Sequence, residues 1–170
     1  MGNVIVYGFT GNCYIKELNK LAHNVKKGDI IGNSEVLCII KTKFENGGLC
    51  EIGNNNEYIS MYHPILYNNK WMCVKDLYDV EMLNSEERDN IGYLYNFVLS
   101  DNHTLTINDV VCAMPGHNFK DEIVNHPFFG NRKKFIDCIR YLPGYDTGII
   151  LLTESDYLRD ENGVIVNIKI

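Results

Sequence analysis

Short apolar runs broken by turn signals at intervals of about 8–12 residues constrain this chain more than any other feature. Residues 35–44 (EVLCIIKTKF) are rich in β-branched side chains, Asn46-Gly47-Gly48 supplies a turn, and 49–52 return. Further runs occupy 58–65, 93–99, 104–107 and 110–113. Each is of strand length and too short for a buried helix. Tyr67-Asn68-Asn69-Lys70 and Asn108-Asp109 have the chemistry of tight turns. Residues 3–7 (NVIVY) read as an opening strand, and 149–152 and 164–168 as closing strands around a polar loop. The pattern implies an all-β domain. One helix is expected, over 131–142, where Phe135, Ile136, Ile139 and Leu142 recur at helical spacing before Pro143-Gly144 stops it. Residues 79–90 are polar and read as an exposed loop.

With 170 residues, 45% of them hydrophobic, the chain can bury one core. A net charge of −6 argues against the concentrated basic surface that phosphate binding needs, so no nucleic-acid partner is expected. The run Arg132-Lys133-Lys134 beside Asp137 reads as a solvated helix face. No segment has the length of a membrane span, and the N-terminus lacks a basic region followed by an apolar one. The opening Met-Gly is not a myristoylation signal, because Val6 stands where Ser or Thr is required. Six cysteines without a C-x-x-C pair, in a chain with no secretion signal, are expected to be reduced and buried. This gives a cytoplasmic expectation, and Asn102-His103-Thr104 would be a glycosylation acceptor only in a secreted protein.

Several stretches, in order, resemble the Hint superfamily, the autoprocessing domains of inteins and hedgehog proteins. Gly8-Phe9-Thr10-Gly11-Asn12-Cys13, with Val25-Lys26-Lys27-Gly28-Asp29 following, is similar to the Hint opening. Ser60-Met61-Tyr62-His63 is similar to the T-x-x-H block. The stretch from Tyr95 to Leu105, ending in His103-Thr104-Leu105, is similar to the late block. Gly116-His117-Asn118-Phe119, His126-Pro127-Phe128-Phe129-Gly130 and Leu142-Pro143-Gly144-Tyr145 extend the likeness to the Vint type, found beside von Willebrand A modules. The resemblance implies a pseudo-symmetric β horseshoe with one short helix in a C-terminal extension. Residues 1–7 would be the remnant of an upstream segment and 8–170 the processing domain.

The activity implied is a single-turnover N-to-S acyl shift. A cysteine at the first Hint position attacks the preceding carbonyl, and a thioester replaces the amide. Histidine suits protonation of the departing nitrogen. On this likeness His63 takes that role, Ser60 keeps a hydroxyl at the scissile bond, and His103 supports the site. Cys112 is a second-layer or acyl-accepting thiol, or else a buried strand cysteine. The substrate is the chain's own upstream polypeptide, with the scissile bond at Tyr7–Gly8. The domain is expected to act as a monomer, without cofactor, metal or membrane.

One position departs from the pattern. Gly8 occupies the place of the nucleophilic cysteine, so the chain with this residue is expected to be inactive and not to process itself. Two explanations stay open: a cysteine replaced to trap the precursor, or a naturally degenerate Hint scaffold acting as a protein-interaction module. A hydrolase acting on other molecules through Cys112 with His63 or His117 is a third class. No His-Asn pair precedes a nucleophile near the end, so splicing is not expected. His117 and His126 read as turn caps in the extension, against a zinc site shared with Cys112. Phe128 and Phe129 read as core, Tyr145 as a turn anchor, and Asn96 stands where inteins often carry an acid.

Overall fold

Two turns set the strand register in one half of the molecule. Asn68 and Asn69 have φ of 50° and 62°, and Asn108 and Asp109 have 46° and 67°. A two-residue type I′ hairpin requires this left-handed pair, which Asn and Asp accept more readily than other side chains. The turns join Pro64–Tyr67 to Lys70–Cys73 and Thr104–Ile107 to Val110–Ala113. The computed structural model describes residues 7–169. The strand expected over 3–7 therefore lies outside the described residues, apart from Tyr7.

Two sheets carry the fold, which is all-β as the resemblance implied. One runs in the order Val80–Met82, Gly48–Glu51, Tyr58–Ser60, Phe9–Thr10, Tyr93–Leu99, Ser34–Lys43 and Ile149–Leu152, with Ile30–Ile31 paired to Ser34–Lys43. The other runs Lys20–Leu21, Tyr14–Ile15, Thr104–Ile107, Val110–Ala113, Pro64–Tyr67 and Lys70–Cys73. A separate ribbon pairs Tyr157–Arg159 with Ile165–Ile168. Pairing is antiparallel except between Ile149–Leu152 and Ser34–Lys43. What matters for function is the short strand Phe9–Thr10. Phe9 pairs with Ile59 on one side and with Tyr95 on the other, so the chain just before it is delivered between two elements far away in sequence.

The sheets bury a shared core that includes Phe9, Ile59, Ile65, Phe97, Leu105 and Cys112. Phe9 and Phe97 pack with ring centroids 5.4 Å apart, and truncating either to Ala would cost about 3–5 kcal/mol. A second cluster joins Val98 and Ile150 to Phe128, Phe129, Phe135 and Ile139 of the extension. The expected helix is there as Arg132–Ile139, with Asn131 Oδ1 accepting from the Lys134 N–H at 3.1 Å as its N-cap. Of its basic run, Lys133 and Lys134 are exposed, with Lys133 paired to Asp137 at 3.0 Å, whereas Arg132 is half-buried and donates to the Gly116 carbonyl at 3.2 Å. All six cysteines are unpaired; five are buried and Cys73 is half-buried.

The loop expected over 79–90 is corrected by the structure. It contains the strand Val80–Met82 and a second helix, Ser85–Ile91. None of that helix's residues is buried, so it shows no apolar period. It is held at its start by a capping box in which Asn84 Oδ1 accepts from the Glu87 N–H at 2.8 Å and Glu87 Oε1 accepts from the Asn84 N–H at 3.0 Å.

Candidate active site

The strand Tyr58–Ser60 ends in a bend closed by the His63 N–H donating to the Ser60 carbonyl at 2.9 Å. The chain then enters the other sheet at Pro64. Ser60 and His63 stand at the two ends of this corner, and both address residues 7 and 8. The Gly8 N–H donates to Ser60 Oγ at 3.0 Å, while the Ser60 N–H donates to the Gly8 carbonyl at 2.9 Å. The His63 ring packs edge-on to Tyr7, with centroids 6.0 Å apart.

The carbonyl of the same peptide group is held from the opposite side. Asn96, in the strand Tyr93–Leu99, donates Nδ2–H to the Tyr7 oxygen at 2.6 Å. A carbonyl can only accept, so the amide orientation of Asn96 follows from this bond, and its Oδ1 points elsewhere. Asn96 Oδ1 is buried with no partner among the described residues. Both ends of the Tyr7–Gly8 peptide are thus fixed by side chains from separate strands.

His63 is 1% exposed. Its Nε2 lies 2.9 Å from the Ala113 carbonyl, which again can only accept. The proton is therefore on Nε2, and Nδ1 presents a lone pair. Nδ1 is also buried and has no partner among the described residues. Burial lowers the His63 pKa to about 4; the bond to Ala113 opposes this and the nearby His117 adds to it. At neutral pH the ring is an uncharged base.

His63, Asn96 and Tyr7 line one partly open cavity together with Ala113, Met114, His117, His126 and Phe129. It leaves about 20 Å³, room for about one water molecule. His117 and His126 act as turn caps, the expected role. His117 Nδ1 accepts from the Phe119 N–H at 2.8 Å, and His126 Nδ1 accepts from those of Phe128 and Phe129 at 3.1 and 3.0 Å. His117 also stacks on Phe119 at 4.7 Å. Burial lowers both histidines to about 4.

Of the residues singled out in the sequence, Gly8, Ser60 and His63 come together here. His103 does not line the cavity. It lies beyond His117, with Arg132 Nη1 donating to its Nδ1 at 3.5 Å. Cys112 neighbours Ala113 on the strand Val110–Ala113, but its side chain packs in the shared core, where burial and the nearby Cys13 push its thiol well above the ordinary range. It does not join His117 and His126, and among the described residues no three His, Cys, Asp or Glu side chains could hold a metal ion. Asn96 is the residue whose part here the sequence did not assign. Its signal was a lone amide in the apolar run YLYNFVL, at an inward position.

Gly8 sits tightly against the neighbouring strand. A Cβ built on it would lie 2.8 Å from Leu94 Cβ and 3.1 Å from the Tyr95 carbonyl oxygen. A side chain at this position needs the strand Tyr93–Leu99 to give way.

A peptide bond gripped at both ends inside a histidine-lined cavity, at the start of an open all-β fold, defines an autoprocessing-type domain. The chain belongs to the Vint family of Hint domains, whose model matches residues 8–167. A solved structure, the gp41-1 intein, is similar at 18% identity with a TM-score of 0.45, covering 64% of this chain and 99% of the intein. No curated protein matches it. Among the described residues, no helix is long and apolar enough to cross a membrane.

Proposed function

We propose that this domain is built to break the bond between Tyr7 and Gly8 and so to release the polypeptide ahead of it, by acyl shift to a thiol at residue 8 in its ancestral form. The observation that carries this reading is the double grip on that peptide group: Asn96 Nδ2 on the Tyr7 oxygen at 2.6 Å and Ser60 Oγ on the Gly8 nitrogen at 3.0 Å. The Asn96 donor sits where negative charge develops as the carbonyl becomes tetrahedral, a contact worth about 3–4 kcal/mol in other acyl-transfer sites. Ser60 fixes the nitrogen that leaves, and His63 supplies a neutral imidazole to carry the proton.

With glycine at residue 8 the thioester step has no nucleophile. The close approach of Leu94 supports a glycine settled into its surroundings over a cysteine replaced by design. A second reading, a scaffold retained for protein interaction, draws support from the edge strand Val80–Met82, where Met82 is 72% exposed.

The two readings part in a Gly8→Cys chain carrying a reporter protein ahead of residue 1, followed by intact mass with and without a small thiol. Thiol-dependent release after Tyr7, lost in Gly8→Cys with His63→Ala, is the expected outcome. A folded Gly8→Cys fusion that stays whole in thiol rejects the processing reading and leaves the interaction scaffold.

A further inference from the structure

Two buried acceptor atoms, His63 Nδ1 and Asn96 Oδ1, belong to residues that line the same small cavity, and neither has a partner among the described residues. Each residue's other polar atom is committed: His63 Nε2 to the Ala113 carbonyl and Asn96 Nδ2 to the Tyr7 carbonyl. A buried acceptor left without a donor is costly, so the pair calls for a shared partner. The volume of about 20 Å³ matches one water, and a water has two protons to donate, one for each acceptor. Asn96, one of these two residues, also holds the Tyr7 carbonyl through Nδ2.

We propose that this cavity binds a water that takes the place of the missing thiol, so that the Gly8 chain cleaves its own Tyr7–Gly8 bond slowly by hydrolysis. The inference rests on the reading of Tyr7–Gly8 as the scissile bond. The water oxygen bonds to the Tyr7 carbonyl carbon as one water proton passes to His63 Nδ1, and the carbonyl oxygen takes the negative charge against Asn96 Nδ2. The carbon–nitrogen bond then breaks, and the proton held by His63 goes to the Gly8 nitrogen. The products are a carboxyl group on Tyr7 and a free amine on Gly8, and no other reactant is consumed. Neutral His63 is suited to the first transfer, because a base must begin without the proton it accepts. No thiol lines the cavity to compete with the water.

The test uses the full chain with Gly8 in place and a reporter protein ahead of residue 1, incubated in heavy-oxygen water and read by intact mass. Slow release after Tyr7 is expected, with one heavy oxygen in the new Tyr7 carboxyl group, a rate indifferent to small thiols, and a fall of about a hundredfold in His63→Ala. A folded fusion that stays whole overturns the proposal, as does release that requires thiol. Since His63→Ala could fail to fold, a high-resolution crystal structure of the unsubstituted chain gives a separate check. A water bonded to both His63 Nδ1 and Asn96 Oδ1 is expected there, and its absence overturns the proposal. The Gly8→Cys chain separates the two levels. If it releases reporter in thiol while the Gly8 chain does not cleave, the scissile bond is right and the water is wrong. If neither releases, both fail.

Discussion

Three histidines line one cavity, yet they are not equivalent. His117 and His126 come from the extension and give Nδ1 to backbone N–H groups of their own turns. His63 comes from the corner between the sheets and gives Nε2 to the Ala113 carbonyl, which leaves Nδ1 unpartnered among the described residues. Burial holds all three neutral, with pKa values of about 4. Burial and neutrality alone therefore do not mark a catalytic base. What sets His63 apart is an uncommitted lone pair beside a peptide group that other side chains hold in place.

The largest expected effect tests this directly. In the Gly8→Cys reporter chain, His63→Ala should slow release by about 10²–10⁴-fold, the usual worth of a positioned acid or base. Equal slowing in His126→Ala would break the distinction. Next is Asn96→Ala, which removes the donor to the Tyr7 oxygen and should slow release by about 10²–10³-fold, alongside a stability loss of about 1–3 kcal/mol for the stranded carbonyl. Unchanged release would mean that the amide only supports the strand. His126→Ala should act mainly on stability. It strands the N–H groups of Phe128 and Phe129 and should cost about 1–3 kcal/mol in denaturant unfolding, with release slowed far less than in His63→Ala.

The smallest effect sharpens the comparison from the other side. A histidine whose pKa falls from 6.5 in the unfolded chain to about 4 in the folded one binds its proton more tightly when unfolded. Its neutral burial therefore contributes stability fully above about pH 6.5, and that contribution is lost as pH falls toward 4. For His63 the slope in this window approaches about 1.4 kcal/mol per pH unit. Replacing any one of the three histidines should flatten the dependence, whereas only His63 should govern release. Unfolding midpoints at pH 7 and pH 5 measure it.

Much of this arrangement could be read from the sequence, for reasons that are local. Asn68-Asn69 and Asn108-Asp109 specify their hairpins because few other pairs adopt those dihedrals, and the helix Arg132–Ile139 has an apolar face that shows as a period. The block Ser60-Met61-Tyr62-His63 announced two of the groups that address the Tyr7–Gly8 peptide. The helix Ser85–Ile91 gave no such sign, because none of its residues is fully buried and only Ile91 packs against the core. Its only mark was the spacing of Asn84 and Glu87. The grip of Asn96 on Tyr7 spans 89 positions and depends on the register between Phe9–Thr10 and Tyr93–Leu99, which no local pattern encodes. For the same reason His103 looked like a member of the site, although the chain turns it toward Arg132.

The close fit of Gly8 against Leu94 has a consequence for redesign as well as for chemistry. Gly8→Cys places a thiol at residue 8, but it does not make the room that its side chain needs. Forcing a Cβ into contact with Leu94 should cost about 1–3 kcal/mol, as overpacking does elsewhere, a sizeable part of what keeps a domain of this size folded. A thiol placed at residue 8 is therefore installed at a cost in stability, and a compensating change in the strand Tyr93–Leu99 should restore the folding midpoint of the Gly8→Cys chain.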